Sequence, residues 1–303
     1  MDVGSNTVHV LVADVHGHDE TSQLEDVAHY VEMPELGAEV ARTGRIGQKK
    51  AEEVIAALRS VLARAAEHHF EHLVAGATAG VRKAADGSEF LARASEEIGT
   101  PVRLISEKRE AELSFAGVAS RHAADGQWLM ADVGGGSTEL VVAHRRHLRQ
   151  WVSLELGSGS LAKRFLSDPP ESSEQERLRA EAAERLRQVP EAEATKLVVT
   201  GGTAANLPVV LSKHRPPTVL TAADLVAARE RLDAEPAADL AAATGLSDAR
   251  VRALRAGVEI LLLVLDRYRL DRLHVSFEGL RDGMLLAYLA CGEEWWVQRT
   301  SSA

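Results

Sequence analysis

Trp128-Leu129-Met130-Ala131-Asp132-Val133-Gly134-Gly135-Gly136-Ser137-Thr138-Glu139 carries the reading of this chain. Its apolar run ends in three glycines, the pattern of a buried strand entering a turn. With no Cβ in the way, the N–H groups of Gly134, Gly135 and Gly136 can approach an anion closely. Ser137 and Thr138 add hydroxyl donors. Asp132 and Glu139 flank the turn as carboxylates, the donors that a hard cation such as Mg²⁺ takes. A plain glycine-rich hairpin with acids at its solvated ends is the other reading of the same residues.

Outward from this turn, Asp2-Val3-Gly4-Ser5-Asn6-Thr7 repeats the Asp-Val-Gly ending and is followed by the apolar strand Val8–Asp14. Such a turn at the start of each half implies a duplicated domain whose two turns face each other. A polar loop and a second apolar segment follow the first strand. Helical spacing of apolar residues predicts a helix over Gln48–Phe70, and further helices over 89–98 and 107–121. Strands are predicted at 72–76 and 101–105. After a linker at 123–127 the pattern restarts with the strand 128–133 and two more at 139–143 and 149–154. Helices over 158–167, 172–188, 203–212, 222–233 and 247–267 alternate with strands at 196–200 and 273–277, and a helix over 280–291 closes the chain. This alternation is that of α/β layers. The expected domains are 1–122 and 123–303, the last helix being free to pack back on the first.

Three more segments bear on chemistry. Val198-Val199-Thr200-Gly201-Gly202-Thr203 is a strand, a glycine turn and a helix start, and such a helix N-terminus attracts anions. Arg82, after the 72–76 strand, offers bidentate contacts to phosphate oxygens or is simply a surface arginine. Ser106 is a natural N-cap for a helix whose first turn carries Glu107 and Glu110. A carboxylate there suits the helix dipole, and it also suits orienting a water.

Composition bounds the partners. The 303 residues are 45% hydrophobic, enough for two domains, and the net charge of −10 argues against a general nucleic-acid binder. Arg42, Arg45, Lys49 and Lys50, then His144 to Arg149, then Lys213, His214 and Arg215 are local basic clusters available to a polyanion or to solvent. Cys291 is the only cysteine, which excludes an internal disulfide and fits a reducing cytoplasm. No basic-apolar leader is visible, and the longest apolar run, Ile260–Leu265, is too short to span a bilayer. The paired Trp295-Trp296 either cover the last helix or serve a homodimer contact.

Taken in order, these motifs resemble the Ppx/GppA phosphatase family from Asp2 to about Leu289: Asp-x-Gly-Ser-Asn, Ala-Thr-x-x-x-Arg, Ile-Ser-x-x-x-Glu-Ala-x-Leu, Asp-x-Gly-Gly-Gly-Ser-Thr-Glu, Gly-Gly-Thr and Gly-Leu-Arg-Asp-Gly. The resemblance implies duplicated actin-like (ribonuclease H-like) α/β domains with a cleft between them. It implies a catalytic role for Glu110, as general base, with Glu139. Asp132, Glu139 and Asp2 would belong to a site for Mg²⁺ or another divalent cation such as Mn²⁺. Ser5, Asn6, Arg82, Gly134, Gly135, Gly136, Ser137, Gly202 and Thr203 would hold phosphate. The implied activity is metal-dependent exopolyphosphatase, releasing terminal phosphate from inorganic polyphosphate. The alternatives are a guanosine pentaphosphate phosphohydrolase and a non-catalytic polyphosphate-binding regulator.

The sequence departs from the family pattern at Arg109, where an acid usually precedes the catalytic glutamate, and at His9, where an arginine is usual. Only Met1 precedes Asp2, where the family's first strand starts earlier. The chain also ends soon after the late motif, which leaves the short two-domain form that suffices for an exopolyphosphatase.

Overall fold

A computed structural model describes residues 1–17, 23–211 and 217–297. The third basic cluster, residues 213–215, lies outside them. The chain divides into two compact units: Met1–Gly117 with the segment that begins at Leu280, and Val118–Gly279. The division puts the closing helix Leu280–Cys291 with the first unit.

The first unit holds a five-stranded sheet. Its strands are β1 (Asp2–Val3), β2 (Val8–His16), β3 (Gln23–Glu32), β4 (Ala75–Ala77) and β5 (Val102–Leu104), in the order β3-β2-β1-β4-β5. The second holds β6 (Gln127–Val133), β7 (Thr138–His144), β8 (His147–Leu154), β9 (Leu197–Thr200), β10 (Val219–Thr221) and β11 (Arg272–Val275), in the order β10-β11-β9-β6-β7-β8. Without the edge strand β10, the two sheets share one order and one set of directions. The first three strands of each are antiparallel, and the fourth and fifth run parallel to the first. This is a duplicated α/β fold of the actin-like type.

Burial explains the sequence pattern. The inner strands β6 and β9 are apolar almost throughout, because helices cover a mixed sheet on both faces. The helix Asp248–Tyr268, capped by the Ser247 hydroxyl on the Arg250 N–H at 3.3 Å, is the core helix of the second unit and buries thirteen residues. In the first unit, Gly47–Ala65 buries Ala51, Val54, Ile55, Leu58, Val61 and Ala65 along one stripe. Trp295 is buried with Val74, Ile105, Leu113, Leu280 and Met284, and Trp296 lies 5.1 Å from the Arg103 guanidinium.

Several boundaries differ from the periodicity reading, each for a local reason. The helix expected over 48–70 stops at Ala65, followed by the single tight turn Ala66–His68 and a left-handed His69. The strand expected over 72–76 is laddered only at Ala75–Ala77, because its inner neighbour β1 is two residues long. The segment read only as apolar after the first strand is the ten-residue edge strand β3, on which Val27 and Val31 are exposed.

The second unit ends on a polar knot. Glu278 accepts from the Ser276 hydroxyl at 2.7 Å and lies 3.3 Å from His122 Nε2, while its carbonyl accepts from the Thr200 hydroxyl at 2.6 Å. Burial alone would raise this carboxyl, but the hydrogen bonds from His122 and Ser276 outweigh it and hold it at about 2. A depressed carboxylate adds stability above its ordinary pKa, and that stability is lost as pH falls through the folded value. Glu278→Gln is therefore expected to cost on the order of 1–3 kcal/mol at pH 7. Denaturant titration of both proteins should show the gap closing between pH 4.5 and 2.

Candidate functional site

The two Asp-Val-Gly turns close on the same backbone hydrogen bond and the same strand register. The Gly4 N–H donates to Thr7 O at 2.9 Å, and the Gly134 N–H to Ser137 O at 3.0 Å. Asp2 stands opposite His9 and Val3 opposite Val8, just as Asp132 stands opposite Glu139 and Val133 opposite Thr138. His9 therefore holds in the first unit the position of Glu139 in the second. Its Nε2 is 3.3 Å from His29 Nδ1, and His29 Nε2 is 3.0 Å from Asp26.

In the second unit the register lines up four polar side chains. Ser153 on β8 pairs with Glu139 on β7, Glu139 with Asp132 on β6, and Asp132 with Thr200 on β9. Direct cross-strand partners share a face, so the two carboxylates are neighbours. The Ser153 hydroxyl donates to Glu139 at 2.8 Å and fixes its rotamer.

The triple-glycine turn is pinned from behind. The Ser158 and Ser160 N–H groups donate to Gly134 O and Gly135 O at 2.9 and 3.0 Å. Gly157 makes this possible, since a Cβ there would sit 2.3 Å from Gly135 O and from the carbonyl carbon of Gly136. With those carbonyls engaged, the Gly135, Gly136 and Ser137 amides have no acceptor among the described residues. They form an anion cradle. Thr138, read as a further donor, is fully buried and spends its hydroxyl on Leu156 O at 2.6 Å.

The third glycine segment meets the same row. Gly201 has φ +84°, and a Cβ on it would lie 2.3 Å from Asp132 Oδ1. Helix Gly201–Leu211 starts here, and its first amides have no partner within the helix. The Thr203 side chain is buried against Gly257, so what Thr203 offers an anion is its N–H. Beside Gly202 lies the Arg250 guanidinium, largely buried, with no carboxylate at ion-pair distance among the described residues.

In the first unit, Ser5 O accepts from the Gly37 N–H at 2.6 Å and Asn6 O from the Glu35 N–H at 3.1 Å. Gly37 and Gly80 both close on Ser5. Arg82 Nη1 donates to Ile105 O at 2.7 Å and to Glu110 at 3.1 Å, and its Nη2 is 3.6 Å from Glu107. Arg82 is thus no loose surface residue but the side chain that orients Glu110. The Ser106 hydroxyl accepts from the Arg109 N–H at 3.2 Å, the cap expected of it. Arg109 itself turns away to Trp295 O and to Glu112 at 3.2 Å. Asp2 is half-buried, 3.9 Å from Arg281, and its Oδ1 has no hydrogen-bond partner among the described residues. Burial pushes its carboxyl up, against the pull of Arg281 and the terminal amine.

No group of three His, Cys, Asp or Glu side chains able to hold a metal ion is present among the described residues. The Asp132–Glu139 pair still fits Mg²⁺, which binds through one or two carboxylates plus phosphate oxygens and keeps several waters. Of the basic clusters, Arg42 pairs with Glu39, Arg45 with Asp86 and Lys50 with Glu53, so that patch is largely self-neutralised. Residues 144–147 lie at the β7–β8 turn, at the far end of β7 from the glycines and roughly 20 Å away.

Ser153, Gly157 and Arg250 were not singled out from sequence. A signal for one of them exists: Glu35-Leu36-Gly37 and Glu155-Leu156-Gly157 are a second internal repeat, each closing on its own Asp-Val-Gly turn.

The family model described as the Ppx/GppA phosphatase family matches residues 11–290, and the chain belongs to that family. It is 29% identical over 313 aligned residues to a Mycobacterium tuberculosis protein called Exopolyphosphatase 2, covering 95% of this chain and 97% of the relative. The Ppx/GppA family member of Aquifex aeolicus has a crystal structure that matches with a TM-score of 0.79 at 27% identity, covering 95% of each chain. A structure of an exopolyphosphatase from Cytophaga hutchinsonii has the same fold, with a TM-score of 0.85 at 24% identity over 95% of this chain and 96% of that one. No helix among the described residues is long and apolar enough to cross a membrane.

Proposed function

We propose that this chain is an exopolyphosphatase that releases the terminal phosphate of inorganic polyphosphate with the help of a divalent cation. The observation that carries the reading is the triple-glycine turn, whose carbonyls are tied to Ser158 and Ser160 while its amides stay available beside the Asp132–Glu139 pair. The near full-length match to a relative called Exopolyphosphatase 2 supports the substrate.

In this reading the Gly135, Gly136 and Ser137 amides, with the first amides of Gly201–Leu211 and the Arg250 guanidinium, take up phosphate oxygens. Phosphoryl transfer needs mainly such positioning and charge neutralisation. Asp132 and Glu139 hold the cation, which when bound offsets charge on the phosphate oxygens. Glu110, aimed by Arg82, accepts the proton of the attacking water as its oxygen bonds to the terminal phosphorus. The bridging P–O bond breaks, and the shortened chain leaves as an anion.

Phosphate release from polyphosphate and from guanosine pentaphosphate, with and without Mg²⁺ or Mn²⁺, tests the reading. Metal-stimulated release from polyphosphate is expected. Release from the nucleotide alone would move the substrate, and binding without turnover on either would leave a polyphosphate-binding regulator.

A further inference from the structure

The outer strands of the two sheets differ in charge. β3 and β8 hold the same place in the duplicated units, each the third strand of the meander that starts at an Asp-Val-Gly turn. β3 carries Glu25, Asp26 and Glu32. β8 carries no acid, in a chain whose net charge is −10. Arg145-Arg146 forms the turn from β7 into β8, between the paired His144 and His147, and Arg149 follows as the extra residue of a bulge. All five are exposed. None of the three arginines has a carboxylate at ion-pair distance among the described residues. By contrast, Arg59 sits on Glu97, Arg187 on Glu184 and Arg272 on Asp271.

The backbone beneath these cations is fixed. Arg145 has φ +53°, a left-handed value that two-residue hairpin turns usually give to Asn or Gly. Its N–H donates to Gly126 O at 3.0 Å, and its O accepts from the indole of the fully buried Trp128 at 2.7 Å. The turn itself thus has no need of arginine. β7 links this tip to the glycine turn as one strand roughly 20 Å long. Between the two, Ser153 and Trp151 of β8 stand opposite Glu139 and Val141, and the outer strand presents unpaired N–H groups along its edge. Past Glu139 neither strand carries a carboxylate to repel an anion.

We propose that the β7–β8 tip is a second contact for long polyphosphate: while the terminal phosphate lies at the glycine turn, the chain follows β8 and its later phosphates meet Arg145, Arg146 and Arg149. The proposal rests on the exopolyphosphatase reading of the glycine turn and adds to it a preference for long chains. Guanidinium groups take phosphate oxygens in pairs. A chain held at one end meets the tip at high effective concentration, so affinity rises with no new contact at the reacting end. A chain too short to cover the span gains nothing.

Arg145→Asn combined with Arg146→Gly tests this, because it removes two charges and installs residues that such a turn favours. KM for long-chain polyphosphate is expected to rise about tenfold, with kcat unchanged and with KM for tripolyphosphate unchanged. Its dependence on salt should become shallower. Arg145→Lys with Arg146→Lys keeps both charges and should keep the lower KM. Binding of fluorescently labelled long-chain polyphosphate without divalent cation gives a readout free of turnover, and the Asn-Gly variant should lose affinity there by the same factor. Unchanged affinity for long chains, or an equal loss on tripolyphosphate, overturns the proposal. So does tighter binding of an RNA oligomer of matched charge through the same arginines, which would make the tip a nucleic-acid contact. Arginine-dependent binding of long chains without phosphate release would sink the exopolyphosphatase reading and leave this contact standing, whereas no binding at all overturns both.

Discussion

Glu110→Gln is expected to leave a folded protein that binds phosphate chains but turns over about 10²–10⁴-fold more slowly, the usual cost of removing a positioned base. The expectation rests on what holds the side chain. Glu110 is 15% exposed and 3.1 Å from Arg82 Nη1, and the same nitrogen is tied to Ile105 O at 2.7 Å. A glutamine keeps the volume and still offers Arg82 an acceptor oxygen, so the helix Glu107–His122 has no reason to move. What it loses is the ability to take a proton. Glu107 is the internal control. It lies 3.6 Å from the same arginine but is 52% exposed. Glu107→Gln is expected to change turnover less than about threefold, as for an exposed, screened ion pair. Steady-state phosphate release with a matched thermal melt separates the outcomes. Full turnover in Glu110→Gln, or an equal loss in Glu107→Gln, would remove Glu110 from the base role.

Arg109 shows how a local departure is absorbed. Where the family pattern has an acid, this chain has a cation that reaches the Trp295 carbonyl through Nε and Nη2 and the Glu112 carboxylate through Nη1. The residue beside the proposed base therefore ties the last segment to the helix Glu107–His122.

What was legible in the sequence follows from how many constraints act on each segment. β6 and its turn were readable because burial, glycine and flanking acids all coincide within Trp128–Glu139. The duplication was legible through the repeated Asp-Val-Gly, but the strand order was not, since strand pairing leaves no mark on a single strand. β3 was opaque because an edge strand has one covered side, and its exposed Val27 and Val31 blur the alternation. Arg250 was hidden for another reason. It sits three residues past a helix cap, where an arginine reads as solvated. Only the packing of Asp248–Tyr268 against the turn at Gly201 brings it to Gly202. Ser153 likewise acquires meaning from register: it is an ordinary strand residue until β8 is laid beside Glu139.

That register also yields the second large effect. Asp132 and Glu139 face each other across β6 and β7, with Ser153 and Thr200 at the ends of the row. Two carboxylates side by side repel unless a cation sits between them or hydrogen bonds share the charge, and the Ser153 hydroxyl donates to Glu139 at 2.8 Å. Asp132→Asn keeps the shape and removes one negative charge. Half-saturating Mg²⁺ for activity is therefore expected to rise about 10–100-fold, and the thermal stabilisation that Mg²⁺ or Mn²⁺ gives the protein without substrate should weaken in step. Gly201→Ala reaches the same carboxylate by a different route. Its Cβ would stand 2.3 Å from Asp132 Oδ1 at a backbone φ of +84°, so the charge stays while its position is lost. Both variants should lose metal-dependent stabilisation, whereas Ser153→Ala, which frees the Glu139 rotamer but keeps both charges, should lose only part of it. Were Asp132→Asn to keep the metal response of the parent while turnover fell, the pair would not be the cation's seat. Asp132 would then act on phosphate or water alone, and the row across β8, β7, β6 and β9 would be a hydrogen-bonded brace for the glycine turn.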